Sequence, residues 1–189
     1  MGKKDIDKLA AQLGPESLKE TFFRAGCFLC AYELIKLEVV GKVHDFFWRG
    51  FDDEGRKLYD DPRYQRDVLS RNPKSRYQAS CGWLIDMGAL TAEQVTILEQ
   101  IHMHRQQIAH EMPNLLLDPD IEVKTDLILA AADCVRALGV FWGRMTVDAD
   151  PQWDGQDVAD EDIQSIPYLL MDYLVSIAGL RQPNDEDSQ

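Results

Sequence analysis

Residues 91–112, TAEQVTILEQIHMHRQQIAHEM, decide the fold of this chain. Thr91 followed three positions later by Gln94 is the pattern of a capping box, which starts a helix. Apolar residues then recur at intervals of three and four, as on the buried face of a helix: Leu98, Ile101, Ile108 and Met112. Because Pro113 disfavours helical geometry in the residue before it, we expect this helix to end near Met112.

Helical spacing recurs through most of the remaining chain, and no stretch shows the Val-, Ile- and Thr-rich alternation typical of a strand. The other predicted helices run from Pro15 to about Trp48, over 62–71, over 74–87, across 127–145 and over about 163–178. The polar segments 50–61 and 114–120 predict loops. We therefore expect an all-α fold, an antiparallel helical bundle of about five main helices with an extra C-terminal helix.

Two of these helices have apolar stripes that predict their buried faces. The stripe of the helix across 127–145 consists of Leu127, Ala131, Cys134, Leu138, Phe141 and Met145. The stripe of the C-terminal helix consists of Ile166, Leu169, Leu170, Tyr173 and Ile177. We expect both stripes to face the core.

The 189 residues suit one domain with an appendage. We predict a bundle over 1–146, an acidic linker over 147–162, the C-terminal helix over 163–180, and a disordered acidic tail over 181–189. The N-terminus lacks the apolar run of a signal peptide, and no stretch has the roughly 20 apolar residues of a membrane helix. Four cysteines fit a reducing compartment. These features predict a cytoplasmic protein with no membrane partner.

Cys27 and Cys30 form a Cys-x-x-Cys motif, which could be half of a zinc site or a redox pair. They lie inside an apolar helical run that offers no loop to arrange four ligands, and a second ligand pair is missing. Free cysteine is also among the most buried residue types. We therefore predict neither a metal nor another cofactor.

The net charge of −13 is unevenly distributed along the chain. Residues 146–189 hold eleven acidic residues and one basic residue, whereas residues 56–76 hold seven basic residues and three acidic ones. The basic segment, 56–76, also contains tyrosines, on which unstacked bases can pack. Its candidate RNA-binding residues are Arg63, Arg66, Arg71, Lys74, Arg76 and Tyr64. A solvated face that merely offsets nearby acidic residues is the alternative.

Arg105 occupies a position of the predicted buried stripe at 98–112 where an aliphatic residue is expected. A guanidinium in a core or an interface costs free energy unless polar groups hold it. Glu33 could be its counterion, or Glu33 could pair with Lys36 one turn along.

The four histidines differ in their predicted surroundings. His102 and His110 lie with Gln106 on one ridge of the 91–112 helix, beside the flank that carries Arg105. His102 could line a site or be solvated. We expect His104 on the surface, and His44 to be a packing residue with one hydrogen bond.

Arg105 and His110, with four residues between them, resemble the Arg-x4-His signature of the HEPN superfamily. The surroundings are similar too, since a helix end at 84–90 precedes the motif and a long helix follows it. The resemblance covers roughly residues 16–146. Members usually carry a polar residue, often asparagine, after the arginine, and here it is Gln106. The resemblance implies an all-α bundle that forms a homodimer and brings two motifs together. It also implies a metal-independent endoribonuclease, of the toxin or phage-defence kind.

Arg105 and His110 would suit such chemistry. RNA supplies its own nucleophile, the 2′-hydroxyl, so His110 would transfer protons while Arg105 stabilises the charged intermediate. Arg105 would also keep a neighbouring histidine neutral. The expected partners are RNA, a second copy, and an antitoxin or other regulatory protein.

Two alternatives remain for these residues. Arg105 could bridge to a buried acid while His110 caps a helix end. The same fold could also be a non-catalytic binder, since the layout is similar to that of HEPN-like regulators of the mannitol operon repressor type.

Overall fold

The computed structural model describes residues 13–118 and 121–180. The fold is predominantly helical, which confirms the predicted class. The helices are α1 (Pro15–Lys36), α2 (Lys42–Asp45), α3 (Asp61–Asp67), α4 (Arg76–Asp86), α5 (Ala92–His110), α6 (Met112–Leu117), α7 (Asp126–Ala149) and α8 (Ile166–Ile177). A π-helical turn, Leu37–Gly41, joins α1 to α2, and short 3₁₀ turns occur at Leu69–Arg71, Pro151–Trp153 and Asp160–Asp162.

The predicted helix boundaries that rest on local chemistry are correct. Pro15 is the first residue of α1, where its missing N–H leaves no hydrogen bond unmade. The capping box of α5 forms on both sides, because Thr91 accepts from the backbone N–H of Gln94 and the Gln94 side chain accepts from that of Thr91. Gly88 follows α4 with a φ of +73°, a left-handed conformation that glycine adopts readily.

The core lies around α1, which packs against α5, α6, α7 and α8. Its fully buried side chains include Phe28 and Ile35 of α1, Leu98, Ile101 and Ile108 of α5, and Ile128 and Leu138 of α7. The predicted stripe of α5 is thus confirmed at Leu98, Ile101 and Ile108, while Met112 starts the next helix and is only partly buried. The stripe of α7 is confirmed for Ala131, Cys134 and Leu138.

The prediction that no strand exists is wrong. Strands β1 (Trp48–Phe51) and β2 (Lys57–Tyr59) form an antiparallel hairpin with an irregular register between Trp48 and Gly50. Segments of four and three residues are too short to show an alternating pattern. The first long helical segment therefore ends at Asp45 instead of near Trp48, and the predicted loop over 50–61 contains β2.

The loop predicted at 114–120 is also wrong in its first part, because α6 spans Met112–Leu117. Pro113 ends α5 as predicted, but a proline in the first turn of a helix is equally favourable, and here it lies in the first turn of α6.

The acidic segment 147–162 begins inside α7 and is then held against that helix. Asp160 accepts from Arg144 Nε at 2.7 Å, and its backbone carbonyl accepts from Arg136 at 2.7 Å. A side chain at Gly139 or Gly143 of α7 would collide with Ser165 or Ile163, so both glycines permit this close approach. The end of the predicted acidic linker is therefore held against α7. The predicted disordered tail, 181–189, lies outside the described residues.

The predicted buried stripe of α8 is wrong. All five residues, Ile166, Leu169, Leu170, Tyr173 and Ile177, are exposed, with Ile166 at 73% and Tyr173 at 64%. The buried side chains of α8 are Met171 and Val175. Apart from Asp172 and Ser176, α8 consists of apolar and aromatic residues, so its sequence gives little contrast by which to identify the inner face. None of the described helices is both long and apolar enough to cross a membrane.

Candidate functional site

A polar cluster lies where α1, α4 and α5 meet. It consists of Tyr32 of α1, Tyr77 of α4, and His102, Arg105 and Gln106 of α5, and we call it the α5 cluster. Helical spacing places Gln106 one turn after His102, while the packing of α1 against α5 brings in Tyr32 from a position 70 residues away.

His102 has hydrogen-bond partners on both ring nitrogens. Its Nδ1 lies 2.8 Å from Tyr32 Oη, and its Nε2 lies 3.0 Å from the amide nitrogen of Gln106. Because an amide nitrogen only donates, Nε2 accepts, so Nδ1 of the neutral ring carries the proton and donates it to Tyr32. The hydroxyl hydrogen of Tyr32 is then free to be donated to another group.

The ring of His102 also stacks on Tyr77, with a centroid distance of 5.0 Å and an interplanar angle of 17°. Tyr77 itself is buried, and its hydroxyl donates to the backbone carbonyl of Leu98 at 3.4 Å. Two hydrogen bonds and one aromatic face therefore fix the orientation of this imidazole.

Arg105 is half-buried and faces the ring of Tyr32, with 5.4 Å between the guanidinium carbon and the ring centroid. Its Nε is buried and makes no hydrogen bond with any described residue. Within 13–118 and 121–180, no carboxylate lies within ion-pair distance of Arg105. Glu33, the predicted counterion, is exposed and pairs with Lys36 at 3.3 Å. Only a cation–π contact offsets the charge of Arg105 in the described chain.

Burial and the neighbouring guanidinium determine the protonation of this cluster. Burial first, and then the charge of Arg105, lower the pKa of His102 below its usual value. Burial raises the pKa of Tyr32, although Arg105 acts in the opposite direction. The cluster therefore presents one fixed positive charge beside a neutral imidazole and a neutral phenol.

His110 is separate from this cluster. It is the last residue of α5, is exposed, and makes no hydrogen bond or ion pair with Arg105 in the described part of the chain. The two predicted catalytic residues are therefore not in contact within one protomer.

The prediction that His104 lies on the surface is wrong. His104 is only 5% exposed; its ring meets Phe28 edge-on at 4.9 Å, and its Nε2 accepts from the backbone N–H of Lys124 at 3.0 Å. Its Nδ1 lies 3.0 Å from Gln107 Oε1. The segment that precedes α7 covers this side of α5, which no pattern within α5 predicts. His104 therefore anchors the chain between α6 and α7.

The basic segment 56–76 is largely paired with acidic residues. Arg66 and Arg63 share Asp67, at 2.7 and 3.3 Å, and Arg71 contacts Asp86 at 2.8 Å. Lys74 and Arg76 are exposed.

Tyr64, predicted to stack on RNA, is only 4% exposed. Its ring packs against Phe47 and His44, and its hydroxyl accepts from Arg76 Nε at 2.9 Å. Tyr64 is therefore a core residue and offers no face to a base. His44 stacks on Tyr59 at 3.9 Å, as predicted for a packing residue, but it makes none of the side-chain hydrogen bonds found among the described residues.

Comparison of the chain with protein-family models, with curated proteins and with solved structures found no match. Among the described residues, no group of three or more His, Cys, Asp or Glu side chains could hold a metal ion. The sequence prediction missed Tyr32 and Tyr77 as members of the cluster. The available signal was a tyrosine inside an otherwise apolar helical run, since a buried hydroxyl usually has a polar partner.

Proposed function

We propose that this protein is a metal-independent endoribonuclease that acts as a homodimer, with Arg105 and His110 as its catalytic residues. One observation carries the proposal: Arg105 is half-buried, has no carboxylate partner among the described residues, and lies beside a neutral imidazole. Such a guanidinium keeps its donors for an anionic ligand, and a planar guanidinium matches two phosphate oxygens.

The reaction uses the 2′-hydroxyl of the substrate. His110 accepts the 2′-hydroxyl proton as the 2′-oxygen bonds to the adjacent phosphorus, and Arg105 stabilises the charged intermediate. The protonated His110 then gives that proton to the 5′-oxygen as its bond to phosphorus breaks. The products are a 2′,3′-cyclic phosphate and a 5′-hydroxyl. His102, Gln106 and Tyr32 fix the surroundings of Arg105, and a neutral His102 adds no repulsion to it.

A second protomer is required because Arg105 and His110 are roughly 140° apart on an ideal helix. In the proposed dimer, His110 of each protomer reaches Arg105 of the other. The exposed apolar surface of α1 and α8 supports such pairing. A groove of about 720 Å³ lies there, lined by residues that include Leu34, Leu37, Val40, Leu170 and Tyr173. The ion pair of Glu33 and Lys36 beside it adds no net charge, so the surface suits a copy of itself.

Cleavage of single-stranded RNA in EDTA tests the catalytic claim. We expect His110→Ala to slow cleavage by about 10²- to 10⁴-fold, since it removes the group that transfers protons. Gln100→Ala, at an exposed position of the same helix, is the matched control and should cleave at the wild-type rate. Equal rates for His110→Ala and the wild type would remove the proposal.

Sedimentation of Tyr173→Glu tests the dimer. A carboxylate at this exposed apolar position would have to be buried at the interface, so we expect the wild type to sediment as a dimer and the variant as a monomer. A monomeric wild type at micromolar concentration would contradict the proposed assembly.

A non-catalytic regulatory or protein-interaction module is the second candidate, and the exposed apolar face of α8 favours it. The partner would then be an antitoxin or another regulatory protein. An intact RNA substrate after prolonged incubation, together with a dimer that Tyr173→Glu leaves unchanged, would favour this candidate, because α8 would be free to bind another protein.

A further inference from the structure

A cavity of about 400 Å³ opens between the end of α2, α3, the following 3₁₀ turn and α4. It is distinct from the α5 cluster and shares no residue with it. Its lining includes three arginines and three large apolar side chains: Arg63, Arg66, Arg71, Phe46, Trp83 and Met87. Its volume lies within the range of small-ligand sites in proteins, roughly 300 to 1,000 Å³.

The cavity carries a positive charge. Asp67 is the one acidic residue in its lining, and it pairs with both Arg66 and Arg63. Arg71 is held from outside the lining by Asp86. Three guanidiniums thus face one lining carboxylate, and the ion pairs fix their positions while leaving other N–H groups free to donate.

An aromatic wall stands beside these charges. Phe46 is part-exposed and packs on Trp83 at a centroid distance of 5.1 Å. Trp83 is buried and is supported from behind by Trp142, whose ring is nearly parallel to it. The Arg63 guanidinium lies 5.5 Å from the ring of Phe47. A rigid ring surface next to several guanidiniums matches a ligand that is both aromatic and anionic.

We propose that this cavity binds one nucleotide of a single-stranded RNA, with its phosphate at Arg66 and Arg71 and its base against Phe46. This rests on the proposed function, because it assigns the substrate strand a binding site outside the α5 cluster. Helix α4 contributes residues to both the α5 cluster and the cavity. Tyr77 stacks on His102, and Trp83, which lines the cavity, follows six residues later, about 9 Å along the helix axis.

The test measures binding in a His110→Ala background, so that no cleavage intervenes. A short single-stranded RNA, a free nucleoside 5′-monophosphate and inorganic phosphate are titrated separately. The cavity variant is Arg66→Gln with Arg71→Gln. The matched control is Lys19→Gln with Arg24→Gln, which removes the same charge from exposed ion pairs on α1.

We expect the cavity variant to bind RNA at least tenfold more weakly than the control, with a smaller dependence on salt because two phosphate contacts are lost. Phe46→Ala should weaken RNA binding but leave the binding of inorganic phosphate unchanged, because it removes only the stacking surface. Thermal unfolding of each variant checks that it is folded.

Equal RNA affinity of the cavity variant and the control would overturn the inference. Tighter binding of the free mononucleotide than of the RNA would overturn the assignment of the cavity to a nucleotide within an RNA chain. These outcomes differ from failure of the nuclease proposal. If wild-type protein leaves RNA intact but the cavity variant still loses affinity, the cavity assignment stands and the nuclease does not.

Discussion

Arg105 and Arg66 carry the same charge in opposite surroundings. Arg66 is exposed and forms two hydrogen bonds with Asp67, whereas Arg105 is half-buried and, within the part of the chain that the structure describes, has an aromatic ring but no carboxylate beside it. Exposed ion pairs contribute little to stability, and a buried guanidinium without a partner costs free energy. Arg105 therefore contributes no ion pair to the described fold, which makes it the arginine to examine for function.

Replacing Arg105 should have the largest effect on cleavage. We expect Arg105→Met to reduce the rate in EDTA by about 10²- to 10³-fold, as the loss of one positioned charge typically does. The same change should leave stability unchanged or raise it, because methionine fills the space without an unpaired charge.

Cleavage assays and denaturant unfolding of the same sample check this prediction. A loss of more than about 2 kcal/mol in the free energy of unfolding would show that Arg105 stabilises the fold. The contrast drawn between Arg105 and Arg66 would then be wrong.

Replacing Tyr32 should have a smaller effect, on stability. Tyr32→Phe removes the oxygen that accepts from His102 Nδ1 and leaves that part-buried donor unpaired, at a cost of about 1 kcal/mol. Urea unfolding measures the change. Tyr173→Phe is the matched control, since the hydroxyl removed there is on an exposed residue, and it should unfold like the wild type.

The protonation of His102 in the α5 cluster should make stability depend on pH. We expect this effect to be similar to or smaller than that of Tyr32→Phe. Because the pKa of His102 is lowered by folding, the unfolded chain binds the proton at higher pH than the folded chain. The stability that the neutral ring contributes is therefore present above the unfolded value, about 6.5, and is lost as pH falls through it towards the lowered folded pKa.

Unfolding at pH 7.5 and at pH 5.5 measures this loss in the wild type and in His102→Gln, which cannot titrate. We expect the variant to lose less stability between the two values. His44, whose pKa burial also lowers, contributes in the same direction and remains in both proteins. An identical loss in both proteins would contradict the assigned environment of His102.

Replacing Arg66 should have the smallest effect on stability. Arg66→Gln breaks an exposed ion pair and should leave the melting temperature unchanged. Differential scanning calorimetry checks this. A marked fall in the melting temperature would show that the exposed ion pair of Arg66 stabilises the fold, contrary to the prediction.

The sequence predicts those parts of the fold that depend on local chemistry. Helix α5 could be placed from its capping box and one apolar stripe, and the end of α4 from Gly88. The buried face of α8 could not be predicted, because large apolar residues occupy most positions of this helix, both the buried and the exposed ones. The hairpin was too short to leave a pattern.

The candidate site was predictable only in part. Spacing grouped His102, Arg105 and Gln106, since they share one helix. The contact of His102 with Tyr32 joins positions 70 residues apart, which depends on how α1 packs against α5. His104 was misplaced for the same reason, because the segment that covers it comes from elsewhere in the chain.

Mixing two inactive variants tests the shared site most directly. Arg105→Met and His110→Ala proteins are each assayed alone in EDTA, then combined, unfolded, refolded together and assayed again. If Arg105 of one protomer works with His110 of the other, half of the refolded dimers contain one intact site, so about a quarter of the wild-type rate should return. A mixture that stays as inactive as its two components would contradict a catalytic site formed by Arg105 and His110 across the dimer.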